Sequence, residues 1–331
     1  MKLKPGAAGA AGVTLAMVLA MSLTSCGNAD SNANTSSGGV ITVSYSEVVA
    51  DELPLWIASE AGYFKEQGLN VKLVSLSSDQ GYPALISGQT QIASIGGSQI
   101  VSGAAAGGDV KVLATMTPVF AYQLYANVDS AAKLKGKKIG YTSKSGSQYT
   151  ATLAALKKAG LSPEDVNLVP LGSVTNVNNA LLSKTIDAAA THPPASLQFE
   201  DAGLHMVLDL AKEKIPNDTV GISTKSSYIK DHPEVLDKFM AALKKGFDRE
   251  RSDQKYATQV LGAHLGLKDQ RALDETWKYY STEVIPDIPE TTEAQLASAQ
   301  TSLAGSVAGV DKLDLSKLID SSFVDKAFKG K

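Results

Sequence analysis

The chain has 331 residues, with 34 acidic and 31 basic side chains, a net charge of −3 and a single cysteine, Cys26. That length suggests about two domains, and 44% hydrophobic with 20% charged residues exclude a disordered chain. The acidic balance excludes a nucleic-acid binder working through a basic footprint, and one cysteine excludes an intramolecular disulfide or a Cys-rich zinc site.

Met1–Pro5 carries Lys2 and Lys4, and no residue from Gly6 to Leu23 is charged. A short basic region followed by an apolar one predicts a secretory signal. The alternative is a membrane-spanning anchor, but the run is Gly- and Ala-rich and close to the shortest that can span. Leu23-Thr24-Ser25-Cys26 resembles a bacterial lipobox, which implies that Cys26 is lipidated and begins the mature chain. A diacylglyceryl group supplies the two chains that stable anchoring needs. Removal of residues 1–25 leaves 306 and takes away Lys2 and Lys4, moving the net charge to −5. Residues 26–39 hold no large apolar side chain after Cys26 and read as a flexible tether.

Val40–Tyr45 alternates and predicts a first strand. Pro54–Phe64 has apolar residues at helical spacing, with a stop expected at Gly62 or Gly68; Val71–Leu76 predicts a strand and Tyr82–Ser87 a short helix. A strand follows at Ile92–Ile95, a helix at Ser98–Ala106 and a strand at Val110–Thr115. The pattern restarts after Asn127 with strands at Lys137–Thr142, Val166–Val169 and Asp187–Thr191, separated by helices at Gln148–Ala159 and Val177–Ser183. Ala195–Asp201 predicts a helix, Thr219–Thr224 a strand, and the chain from Ser227 is almost entirely helical. Strands alternating with helices predict an α/β fold with largely parallel sheets. Ala84–Ala93 aligns without gaps to Ala180–Ala189, 96 residues on, as if two lobes were built on one plan.

The chain resembles the periplasmic solute-binding proteins of ABC transporters for nitrate, sulfonate and taurine, a group that includes thiamine-pyrimidine binders. The resemblance rests on Pro54–Ala58 with Ala61–Leu69, on Ala84–Ile95, on Leu134–Gly140, and on Ala180–Ala189 followed by Pro193. It implies a two-lobed periplasmic-binding-protein fold of type II with a ligand cleft and two crossovers, placed near Tyr122–Asn127 and Thr219–Ser223. The first lobe is then 40–121 with 224–331, and the second 122–223.

In open α/β sheets ligands sit off the carboxyl ends of strands, at helix N-termini. Three loops have that order. Ile95–Gln99 offers Gly97 and Ser98. Thr142–Gln148 offers Ser145, Gly146, Ser147 and Gln148, hydroxyls and free N–H groups at a positive helix end. Thr191–Pro194 offers His192, as a cleft wall or as a structural ring bonded to nearby backbone. Ser98, Ser145 and Ser147 serve equally as helix N-caps. Ser46 and Glu47 follow the first strand, and Tyr122 and Gln123 stand at the first crossing. Tyr82 is a candidate for the cleft mouth, whereas Trp56 is read as core. The three arginines, Arg249, Arg251 and Arg271, all fall in the helical C-terminal part, which disfavours an Arg clamp on an amino-acid carboxylate. An anion held by helix ends and hydroxyls, with Lys144 nearby, suits a sulfonate, a phosphate ester or a planar heterocycle, with the sulfonate favoured.

No HExxH, P-loop or GxSxG pattern is present, and the four histidines, His192, His205, His232 and His264, are well separated. The expectation is a lipid-anchored, extracytoplasmic receptor that acts as a monomer with an ABC permease and its ATPase. It needs no cofactor, metal or nucleic acid and has no catalytic role. The alternatives are an enzyme similar to the fungal pyrimidine synthases, which share this fold but carry a Cys-rich segment, and a tethered sensory lobe.

Overall fold

The computed structural model describes residues 39–330; the signal segment, Cys26 and the tether up to residue 38 lie outside the described residues. The first lobe opens with β1 (Val40–Tyr45), then α1 (Leu53–Glu60) and α2 (Tyr63–Glu66). Of the two stops expected, Gly62 and Gly68, the first closes α1: Gly62 adopts φ +77°, a left-handed conformation that ends this helix and redirects α2. Next come β2 (Asn70–Ser75), α3 (Gly81–Ser87), β3 (Ile92–Ile95), α4 (Gly97–Ala105) and β4 (Val110–Val119).

The chain then passes to a second sheet through residues 120–122. There it forms β5 (Gln123–Ala126), β6 (Lys138–Tyr141), α5 (Ser147–Lys158), β7 (Asn167–Pro170), α6 (Val174–Leu182), β8 (Ala188–Thr191), α7 (Ala195–Asp201) and β9 (His205–Asp209). It returns through residues 210–215 into β10 (Pro216–Lys225), which pairs antiparallel with β3 and β4. Thr219–Ser223 is therefore a strand of the first sheet, and the second crossing lies before it. β5 and β9, read as connections or not at all, flank one another; β5 also pairs with β8, and those pairings order segments too short to show a pattern alone.

The sheets have strand orders β2-β1-β3-β10-β4 and β7-β6-β8-β5-β9. Each holds three parallel strands followed by an antiparallel one, and that antiparallel strand is the one just arrived from the other lobe. α3–β3 and α6–β8 occupy equivalent places in this plan, which is where the 96-residue echo falls.

The remaining helices, α8 (Ser226–Asp231), α9 (Pro233–Ser252), α10 (Gln254–Leu265), α11 (Gln270–Tyr279), α12 (Glu293–Leu303) and α13 (Ser322–Val324), pack mainly on the first sheet. Their apolar faces join the core around Trp56, Phe64, Phe239 and Phe247. A second cluster joins the lobes: Tyr141 and Tyr149 pack with Leu296, Ala299 and Leu303 of α12. Among the described residues no helix is long and apolar enough to cross a membrane.

Candidate functional site

The carboxyl ends of β1, β3, β6 and β8 open on the space between the sheets. Ser46 and Glu47 follow β1, Gly96 follows β3, Thr142 follows β6 and His192 follows β8, and all line one cleft. Parallel strands with right-handed crossovers bring their carboxyl ends and the next helix starts to the same edge, so residues far apart in sequence converge there.

Of the residues singled out from the sequence, Ser46, Glu47, Tyr122, Ser147, Gln148 and His192 line this cleft. Gly97, Ser98, Ser145 and Gly146 do not. α4 starts at Gly97 with Gly96 as N-cap, so Gly96 faces the cleft and Gly97 is turned to Asp218 and Leu296. The Ser98 hydroxyl is buried 3.1 Å from Thr150 Oγ1 in the other lobe. Ser145 donates to Asp79 Oδ1 at 2.7 Å. Gly146 is the N-cap of α5, so neither Ser98 nor Ser147 caps a helix. Ser147 Oγ instead donates across the cleft to Thr219 O at 2.8 Å. Gln123 lies off the lining, 3.4 Å from Asp209. Tyr82 packs its ring over Gly103 and Gly108 rather than at the mouth, Lys144 is exposed outside the lining, and Trp56 is fully buried.

The sequence reading missed the acids. Asp51 and Glu52 sit in the turn before α1 and line the cleft beside Glu47. Their signal was two carboxylates inside an apolar run from Val48 to Ile57, where charge needs a reason. Asp51 accepts from Thr117 Oγ1 at 2.9 Å and from Tyr280 Oη at 2.8 Å. Ser94 Oγ donates to Glu52 Oε2 at 2.7 Å. Burial pushes Glu47 up to about 7, opposed by bonds from the Ser78 hydroxyl and the Val174 backbone. Burial also holds Glu52 well above the usual carboxylate range, against the Ser94 bond and reinforced by neighbouring Asp51. Burial keeps the Tyr122 phenol neutral, as do the nearby charges of Asp51 and Glu47. Gln99, Ser78, Thr142, Val174, Thr219 and Val220 complete the polar and apolar walls.

His192 lines the cleft, and its ring is bonded to neighbouring backbone. Its Nδ1 lies 3.2 Å from Pro193 O, an acceptor only, so Nδ1 carries the proton and Nε2 is the free nitrogen. Its ring lies 5.6 Å from Tyr122 and 6.4 Å from Tyr280, linking the walls through aromatic edges. Among the described residues no group of three or more His, Cys, Asp or Glu is placed to hold a metal ion.

The family model described as "NMT1/THI5 like" matches residues 50–257, a span that includes most of this cleft. The chain belongs to the NMT1/THI5-like family. Among curated members of similar sequence, YtlA of Bacillus subtilis, named as a binding protein, is 28% identical over 203 residues, 58% of this chain and 60% of that one. A 4-amino-5-hydroxymethyl-2-methylpyrimidine phosphate synthase of Saccharomyces cerevisiae is 26% identical over 254 residues, 69% of this chain and 71% of the synthase. This NMT1/THI5-like chain thus spans 60% of the length of the first relative and 71% of the second. Its fold is shared with the periplasmic aliphatic sulphonate-binding protein SsuA from Escherichia coli, at 18% identity and TM-score 0.69 over 86% of this chain and 92% of SsuA. It is shared also with the periplasmic nitrate-binding protein NrtA from Synechocystis, at 12% identity and TM-score 0.71 over 88% of each chain. The two-lobed α/β architecture with two crossovers is that of the periplasmic binding proteins.

Proposed function

We propose that this NMT1/THI5-like chain is an extracytoplasmic solute receptor of an ABC importer, anchored through lipid on Cys26. It closes two lobes around a small solute and presents the closed form to a permease driven by an ATPase. The observation that carries this reading is a cleft lined from both sheets and bridged by bonds between lobes: Ser147 to Thr219, Ser98 to Thr150 and Ser145 to Asp79. The free space left inside is about 40 Å³, as expected of closed lobes. A solute that contacts both walls favours this form by its differential affinity for it. Both walls come from one chain, so a monomer is sufficient.

The lining bears on the solute. It holds Glu47, Asp51 and Glu52 and neither Lys nor Arg. The starts of α4 and α5 favour an anion by about 0.3–1 kcal/mol each. Against that, the lining supplies no Lys or Arg as counter-cation for a buried anion, and the burial that raises Glu47 and Glu52 penalises any negative charge placed there. An uncharged or cationic solute therefore suits the cleft better than the sulfonate favoured by the sequence. Thermal melts and small-angle scattering across methanesulfonate, taurine, nitrate, aminopyrimidines and amidines test the receptor reading. At least one solute is expected to raise the melting temperature and shrink the radius of gyration. Turnover of a solute without compaction would instead favour a synthase like the yeast relative. Cys26→Ser should move the protein from the membrane fraction to the soluble one.

A further inference from the structure

A second opening lies outside the solute cleft, between helices of different lobes, and shares no lining residue with it. α5 of the second lobe forms one wall, and α12, packed on the first sheet, forms the other. Phe120 of the first crossing and Ile215 of the second also line it. Leu153 of α5, Leu161 just beyond that helix, and Ala294 and Ala297 of α12 extend the apolar surface. The groove holds about 930 Å³, against about 40 Å³ of free space in the cleft. A mostly apolar lining at a domain junction is typical of small-molecule sites, whose volumes run from roughly 300 to 1,000 Å³.

The charge of this groove is the reverse of the cleft's. Its lining holds Lys157 and Lys158 and neither Asp nor Glu, whereas the cleft holds three carboxyl groups and neither Lys nor Arg. Lys158 Nζ is paired with Glu213 at 2.5 Å. Lys157 is exposed and has no anionic partner among the described residues. The Ser298 hydroxyl of α12 is already committed to Pro216 O. An extended apolar surface beside a cation that no carboxylate answers complements a hydrocarbon tail carrying one negative head.

We propose that the groove between α5 and α12 binds a free medium-chain fatty carboxylate, with its tail on Phe120, Leu153 and Ile215 and its head at Lys157. The site lies outside the solute cleft, and its existence does not depend on the receptor reading. Its walls come from both lobes and part of its surface from both crossings. The full set of contacts therefore exists only at the lobe angle seen here, and an occupant favours that angle.

Titration calorimetry of the full chain with decanoate, octanoate and decyltrimethylammonium, all below their micelle concentrations, tests this. Decanoate should bind at one site per chain, about fivefold tighter than octanoate because it buries two more methylenes. It should also bind at least tenfold tighter than decyltrimethylammonium, which has the same tail. The chain as a whole carries a net charge of −3 and favours the cationic amphiphile, so the opposite ranking is specific to this groove. Lys157→Glu, at an exposed position, should weaken decanoate about tenfold and narrow its advantage over decyltrimethylammonium. Ala297→Phe fills the groove from the opposite wall and should weaken decanoate at least tenfold. Thermal melts verify folding, and if Ala297→Phe fails to fold, Lys157→Glu carries the test. No saturable binding of decanoate, equal affinity for the two heads, or unchanged affinity in folded Lys157→Glu overturns the proposal. Unchanged affinity in folded Ala297→Phe overturns it as well, since the α12 wall would then take no part.

Discussion

Gly96 of the first lobe stands against Ser147 of the second so closely that a β-carbon on Gly96 would lie 2.2 Å from Ser147 Oγ and 2.6 Å from Thr219 O. The Thr219 carbonyl belongs to β10 of the same lobe and the Ser147 hydroxyl to the other, so glycine at the N-cap of α4 serves both the first lobe's own packing and the close approach of the second. Gly96→Ala should leave both lobes folded, with a change in melting temperature of a few degrees. It should weaken solute binding more than tenfold and abolish compaction in scattering. Adding Ser147→Ala should restore only part of the affinity, because the Thr219 carbonyl remains in the way.

Ser98 and Thr150 test the closed state without touching the cleft. Their hydroxyls meet 3.1 Å apart, buried between the lobes and off the lining. Thr150→Val keeps the shape and removes the bond. A net hydrogen bond contributes about 1 kcal/mol, so solute affinity should fall roughly fivefold. Calorimetry on the variant and the parent reads this directly; an unchanged dissociation constant would show that the bond is equally present in the open form.

Stability should fall as pH rises from about 4 to about 8. Burial raises Asp218 to about 8, with the Thr115 hydroxyl pulling the other way, and raises Glu250 to about 8, with Arg251 opposing and Asp51 adding. A carboxyl whose folded pKa exceeds its unfolded value binds more protons when folded. Its contribution is full below the unfolded pKa and is lost as pH rises through the folded one. Between those limits each group lowers stability by about 1.4 kcal/mol per pH unit. Both oxygens of Glu250 are buried without a partner, so Glu250→Met should raise the melting temperature at pH 8 and flatten the slope. Denaturant titrations from pH 4 to pH 9 check both.

Glu47, raised to about 7 by burial, should make binding of a donor solute depend on pH. N–H donors favour the carboxylate, so binding lowers this pKa and releases a proton near neutrality. Acetamidinium affinity should rise through pH 7 and level off above it. Calorimetry in buffers of different ionisation enthalpy measures the released proton, and Glu47→Gln should abolish both the release and the slope.

Much of this was legible in the sequence because it is local. Glycine punctuation and alternating apolar residues place β1, β3 and α7, and the echo between Ala84–Ala93 and Ala180–Ala189 marks equivalent helix–strand units of two sheets. Strand–loop–helix order brought Ser147, Gln148 and His192 to attention before any pairing was known. β5 and β9 were not legible, since each is four or five residues long and is held by partners elsewhere in the chain.

The sequence by itself determined the α/β class, the doubled plan and the family, because each depends on periodicity or on contiguous motifs. Only the tertiary structure decided which side chains share the cleft. It brought Asp51 and Glu52 from one lobe opposite Gln148 and His192 from the other, and it turned Gly97 away while leaving Gly96 in contact with Ser147. Helix starts alone suggested an anion. The assembled lining holds Glu47, Asp51 and Glu52 and neither Lys nor Arg, which weighs against an anion, because charge balance is a property of the assembled walls and not of any one loop.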